Sequence, residues 1–302
     1  MRSPLASSVA ALALLSEMVL STTSHGAEPK PWTRLFNDKD LSGWDTYLGP
    51  AYDPVAKEFA GAPLGLNNDP EHVFSTVDID GQRAIRISGT AFGGLSTVKE
   101  YDNYELQLEF KWGQAQSAPR ADGKRDSGVL YRAVGPQGAD WFFWMRSLEF
   151  QVQEGDYGDL WPCGGAIADV AAKKNAAGDF AFSPGAPLLT FSATSPNGRR
   201  VVKAPDTPPD KPGAWNRLTL YVLGKTSVHV FNSVVAMVID NPRQLVDGKE
   251  VALGRGKIQL QSEGAEVFYR NIRLRSIDAL PKGLRPGSPA AARPAPSSGT
   301  QH

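Results

Sequence analysis

From residue 32 onward the chain alternates apolar and polar residues with a period of two, in one short run after another. The clearest run is 104–112. Tyr104, Leu106, Leu108, Phe110 and Trp112 fall on one face, and Glu105, Gln107, Glu109 and Lys111 on the other, as a strand with one buried and one wet side requires. Residues 82–88 repeat the pattern directly after Asp80-Gly81, a strong hairpin signal. Similar runs lie at 127–132, 148–152, 215–223, 227–231, 234–239, 257–261 and 265–275, with almost no helical periodicity between them. Many short strands separated by turn residues predict an all-β, antiparallel β-sandwich. Residues 155–213 read as a looser, Gly- and Pro-rich middle. The segments 50–71 and 113–125 are long for plain connections and are candidate walls of a cleft.

The two ends break the pattern. Arg2, the apolar stretch 9–15 and the small residues before Ala27 predict an export signal over 1–26, and hence a periplasmic or secreted protein. Ser16 and Glu17 interrupt that apolar stretch, so no membrane span is expected there, and without a nearby cysteine no lipid anchor is expected. Residues 281–302, rich in Pro, Ala, Ser and Gly, predict a disordered tail. One domain over 30–278 remains.

Charge and cysteine content narrow the function. Thirty-two basic residues balance 32 acidic ones, which argues against a nucleic-acid partner. Cys163 is the single cysteine, so no internal disulfide can form and the fold must rely on its core. Of the four histidines, His72 and His229 are neither terminal nor in the expected signal, and two scattered histidines do not make a zinc site.

The candidate chemistry sits on one strand. Leu148, Phe150 and Val152 alternate with Glu149, Gln151 and Gln153, and Glu154, Asp156 and Asp159 follow. Glu149 and Gln151 are expected to project side by side into an open trough. Carboxylates and amides near Trp141, Trp144 and Trp161 are the lining of a sugar site, with those tryptophans available for stacking. An oligosaccharide or glycoside is the expected ligand. Glu154, Asp156 and Asp159 with backbone oxygens could also hold Ca²⁺, although their spacing is not that of an EF-hand.

Five patterns in order resemble the secreted 3-keto-disaccharide hydrolase domain family. They are residues 35–44 (LFNDKDLSGW), 93–101 (GGLSTVKEY), 126–132 (DSGVLYR), 148–156 (LEFQVQEGD), and 257–264 (KIQLQSEG) with 268–272 (FYRNI). The resemblance implies a concanavalin A-like jelly roll with its site on the concave sheet. Two positions depart from the family pattern: Asp126 stands where Asn is usual, and Glu263 where His is frequent.

The resemblance also implies a chemistry. A C3 ketone acidifies the C2 hydrogen, so a base can form an enolate that expels the C1 substituent, after which water adds. The expected roles are Glu149 as base, Arg132 as the cation for the enolate oxygen, and Glu154 or Asp159 as acid. Gln151, Asp126 and Gln261 are expected to bind substrate. A structural pairing of Arg132 with Glu149 is the simpler alternative. The strand also looks like the Glu-x-Asp-x-x-Glu strand of laminarinase-type retaining glycoside hydrolases, with Gln151 in place of the Asp. A non-catalytic carbohydrate-binding module on the same fold is the third reading.

Overall fold

The structure is a computed structural model and describes residues 30–284. The expected export signal and nearly all of the expected tail lie outside the described residues. Among the described residues there is no helix, and so none long and apolar enough to cross a membrane.

Two antiparallel sheets pack face to face as a concanavalin A-like jelly roll. The smaller sheet has seven strands in the order Leu160–Cys163, Arg146–Gln151, Gly128–Val134, Lys257–Ser262, Gly93–Thr97, Trp44–Leu48 and Gly65–Leu66. The larger sheet has twelve, with Tyr104–Gln116 at its centre between Asn216–Leu223 and Ala265–Ser276. Tyr104, Leu106, Leu108, Phe110 and Trp112 all point into the core, as their alternation predicts. Val129, Tyr131, Leu148, Phe150, Ile258 and Leu260 meet them from the smaller sheet. Each such side chain contributes about 1.5–3 kcal/mol on burial.

His229, on Thr226–Phe231 of the larger sheet, fastens the two layers. Its ring stacks on Phe150 with centroids 4.2 Å apart, while Nε2 lies 3.0 Å from the Tyr131 hydroxyl and Nδ1 3.1 Å from Gly158 O. Burial lowers its pKa to about 3, so it is a neutral core residue.

The middle of the chain is more ordered than its composition suggests. Residues 155–213 hold the strands Leu160–Cys163, Ala166–Lys174, Phe180–Phe182 and Leu188–Phe191. Ala166–Lys174 is buried on both faces over much of its length, so it lacks the alternation by which a half-exposed strand is recognised.

Candidate functional site

The register of the smaller sheet fixes which side chains leave the core. Glu149 is paired with Leu130 on one side and Trp161 on the other, and Gln151 with Gly128. Gln259 and Gln261 project on the same side from Lys257–Ser262. Asp126 precedes Gly128–Val134 and Glu263 follows Lys257–Ser262. Because these strands are antiparallel neighbours, the two acids arrive at the same end of the sheet.

Glu149 and Gln151 do lie on the outward face, but not in an open trough. Their exposures are 5% and 6%, because loops cover this part of the sheet. Leu130 is packed beneath Phe92, Phe143 and Trp144, with Phe59 against them. Arg120, on the loop after Tyr104–Gln116, pairs with Asp126 at 3.0 Å and with Glu263. The loop is set by Gln116, whose side chain donates to Arg120 O at 3.1 Å and Gly123 O at 2.9 Å. Gly264 has φ +84°, and a Cβ there would press on Arg120 Cβ, so glycine is required for this approach.

One guanidinium therefore faces three buried carboxyls: Asp126, Glu263 and Glu149. Gln153 also donates to Asp126. Glu149 has no cation in contact. Its Oε2 accepts from Cys163 Sγ at 3.6 Å and its Oε1 accepts no hydrogen bond. Burial pushes its pKa well above the carboxylate range, and the charges of Glu263 and Asp126 add to the shift. Burial also raises Glu263, helped by Asp126 and opposed by Arg120, and raises Asp126, again opposed by Arg120. Burial thus favours the protonated form of these carboxyls, and Glu149 alone among them has no cation in contact.

Asp126 Oδ1 and Gln261 Oε1, like Glu149 Oε1, are buried acceptors without a donor among the described residues. Gly128 lets two of them converge, since a Cβ there would collide with both Glu149 Oε1 and Gln261 Oε1. A proton on Glu149 gives this converging group of acceptors one donor of its own.

A cavity of about 760 Å³ opens beside this cluster. Arg120 and Glu263 form its charged side; Phe59, Pro63, Phe92, Pro119, Phe142 and Trp144 are among its apolar walls. Apart from Phe92, these walls come from the two segments, 50–71 and 113–125, expected to flank a cleft, and from the hairpin around Asp140–Trp144.

Several expected residues are placed elsewhere. Arg132 sits in a bulge at φ +53°, where the pairing register breaks after Tyr131. Its guanidinium donates to Ser227 Oγ and to the carbonyls of Gly224, Thr226, Leu253 and Gly254, at 2.8–3.4 Å. It is a structural clamp, and the expected oxyanion role does not fit. Asp159 is fully buried, with Oδ1 accepting from Lys203 N at 2.9 Å and Oδ2 from Arg200 at 2.7 Å. With both oxygens engaged it is poorly placed as an acid. Glu154 binds Arg125 through Nη2 at 2.5 Å and the backbone N at 3.0 Å, which lowers its pKa and keeps it ionised. The same bonds remove the second carboxyl that a laminarinase-type pair requires. Asp156 is bound by Lys124 and Arg200, so Glu154, Asp156 and Asp159 are each paired with a basic side chain. No group of three or more potential metal ligands is gathered among the described residues.

The amides and tryptophans divide similarly. Gln151 Oε1 accepts from Val152 N at 2.9 Å, which ties it to its own strand end. Trp141 stands at the cavity rim and is 69% exposed. Trp144 is a wall whose indole N–H donates to Gly93 O at 2.9 Å. Trp161 lines a different cavity, its ring covered by Arg199 at 5.6 Å. Arg199 in turn pairs with Asp140 at 2.9 Å.

Arg120 is the residue of the candidate site that sequence reading missed. The signal was present in the two unusual acids, Asp126 and Glu263. They flank adjacent strands and share this one cation, so two departures from the family pattern are a single structural feature.

The profile of the 3-keto-α-glucoside-1,2-lyase-like domain matches residues 31–275. Two candidate glycosyl hydrolases of Parabacteroides distasonis ATCC 8503 are similar to the chain in structure. One is 19% identical (82% of this chain, 100% of that chain, TM-score 0.44), the other 18% (82% and 94%, TM-score 0.45). The carbohydrate-binding module CBM66 of Bacillus subtilis is 10% identical (67% and 92%, TM-score 0.38). No curated protein shows significant sequence similarity to the chain.

Proposed function

Because this chain belongs to the 3-keto-α-glucoside-1,2-lyase-like domain family, which supports a carbohydrate-active role, we propose that it cleaves 3-keto glycosides by elimination followed by hydration. The observation that carries this reading is the joint presence of Arg120 and Glu263 on one side of an otherwise apolar cavity, backed by carboxyls of raised pKa.

In this reading Glu263 takes the C2 proton. The C2–H electron pair delocalises into the C3 carbonyl, and Arg120 stabilises the developing oxyanion. Collapse of the enolate forms the C1–C2 double bond and breaks the bond from C1 to the leaving oxygen. Glu149 lies behind the cavity wall; in its protonated form, which burial favours, it supplies a proton to the leaving oxygen through a water. Water then adds at C1 and gives its proton to Glu149, while Glu263, after exchanging with solvent, returns a proton to C2; the net change is hydrolysis and both carboxyls end as they began. A raised pKa favours both roles, since it makes Glu263 a stronger base once ionised and keeps Glu149 a proton donor.

The experiment is incubation of the purified protein with a 3-keto glucoside and with its ordinary parent. Release of the aglycone from the keto sugar alone supports the proposal. Release from ordinary β-glucans supports a conventional glycosidase, and retention without release supports a binding module.

A further inference from the structure

We infer that the apolar part of the 760 Å³ cavity is a leaving-group site shaped for a flat aromatic aglycone rather than a second sugar ring. The inference rests on the reaction read above and names its substrate class. Among the described residues that line the cavity, only Arg120 and Glu263 are charged, and both stand on the side of the buried carboxyl cluster. The bond to be cleaved belongs at that boundary, with the sugar toward the carboxyls and the leaving group toward the aromatic walls.

The remaining walls include Phe59, Phe92, Phe142 and Phe143, with Pro63 and Pro119. The Phe59 ring lies 4.9 Å from Phe92 and 4.6 Å from Phe143, at tilted or edge angles. Such packing leaves an aromatic lining with few hydrogen-bonding groups. A second sugar held there would lose water from its hydroxyls and find few partners, whereas an aromatic ring gains from both burial and ring contact.

The rim supplies an independent argument. Trp141 and Phe142 are 69% and 70% exposed, and both adopt left-handed backbone conformations, φ +53° and +71°. Glycine or asparagine would serve such a turn with less strain and less apolar surface. The fold gains little from two aromatic residues there, whereas a ligand entering the cavity gains a platform. Strained backbone at a site of this kind accords with a role in binding.

The test uses the full chain and uncleaved ligands, so it does not depend on turnover. Binding of 2-naphthyl α-glucoside and methyl α-glucoside is measured by calorimetry for the native protein and for the Trp141→Ala/Phe142→Ala variant. Both side chains are exposed, and an unchanged unfolding midpoint establishes that the variant is folded. The naphthyl glucoside is expected to bind at least about tenfold tighter than the methyl glucoside, and the variant to lose most of that preference while binding the methyl glucoside unchanged. Equal binding of the two ligands, binding of neither, or a preference intact in the variant overturns the inference. A naphthyl preference together with no release from any 3-keto glycoside would instead refute the reaction and leave the aromatic site standing.

Discussion

Replacing Glu149 by glutamine removes the one carboxyl of the cluster that touches no cation, and the structure dictates how stability must respond. In the folded chain burial holds its pKa well above the usual range; in the unfolded chain it ionises near the ordinary glutamate value. Above about pH 5 the folded state therefore binds roughly one more proton than the unfolded state at this residue. Stability then falls as pH rises, by up to about 1.4 kcal/mol per pH unit over the range in which Glu149 keeps its proton. Glutamine has nearly the same shape and no such proton. The variant should match the native protein near pH 5 and exceed it increasingly toward pH 8. Urea unfolding followed by tryptophan fluorescence at pH 5, 6, 7 and 8 gives both slopes. An identical pH slope in the two proteins, or a variant less stable at pH 8, would mean that Glu149 is an ionised and satisfied carboxylate, and the electrostatic account of the site would fail.

Three further outcomes follow from the same geometry. Arg132→Met should cost about 3 kcal/mol or more, seen as a lowered urea midpoint, because it strips donors from buried carbonyls, yet the folded fraction should keep its kcat. Asp159→Asn and Glu154→Gln should each retain turnover within a few-fold on a 3-keto glucoside, with the loss from Asp159→Asn confined to stability. Gly128→Ala should lower kcat by about tenfold or more with a well-folded circular dichroism spectrum, since the new methyl displaces the Glu149 and Gln261 side chains by a distance that misaligned catalytic groups do not tolerate.

Much of the fold was legible because half-buried strands advertise themselves. The faultless alternation of 104–112 has one physical solution, and Asp80-Gly81 does open the hairpin between Phe74–Ile79 and Gln82–Ile87. Ala166–Lys174 was hidden because a strand buried on both faces has no period of two. In the site, Glu149 was placed on the outward face by the same alternation, but no local pattern reports what lies above a face. The covering loops, and so the burial of Glu149, depend on contacts between segments distant in sequence. Arg132 was misplaced for a related reason. Alternation assumes regular pleating, and a bulge at φ +53° re-aims the side chain toward the turn around Gly224. Glu154 and Asp159 looked like free carboxylates because their partners, Arg125 and Arg200, come from other loops.

Deuterium at C2 tests the central claim most directly. A 3-keto glucoside is turned over in D₂O and the released sugar is analysed by mass spectrometry and NMR, extrapolated to zero time to remove slow solvent exchange. Elimination and rehydration predict one deuterium at C2 in every product molecule, with incorporation abolished along with turnover in Glu263→Gln. Aglycone release with hydrogen retained at C2 would contradict the mechanism and point to direct displacement at C1.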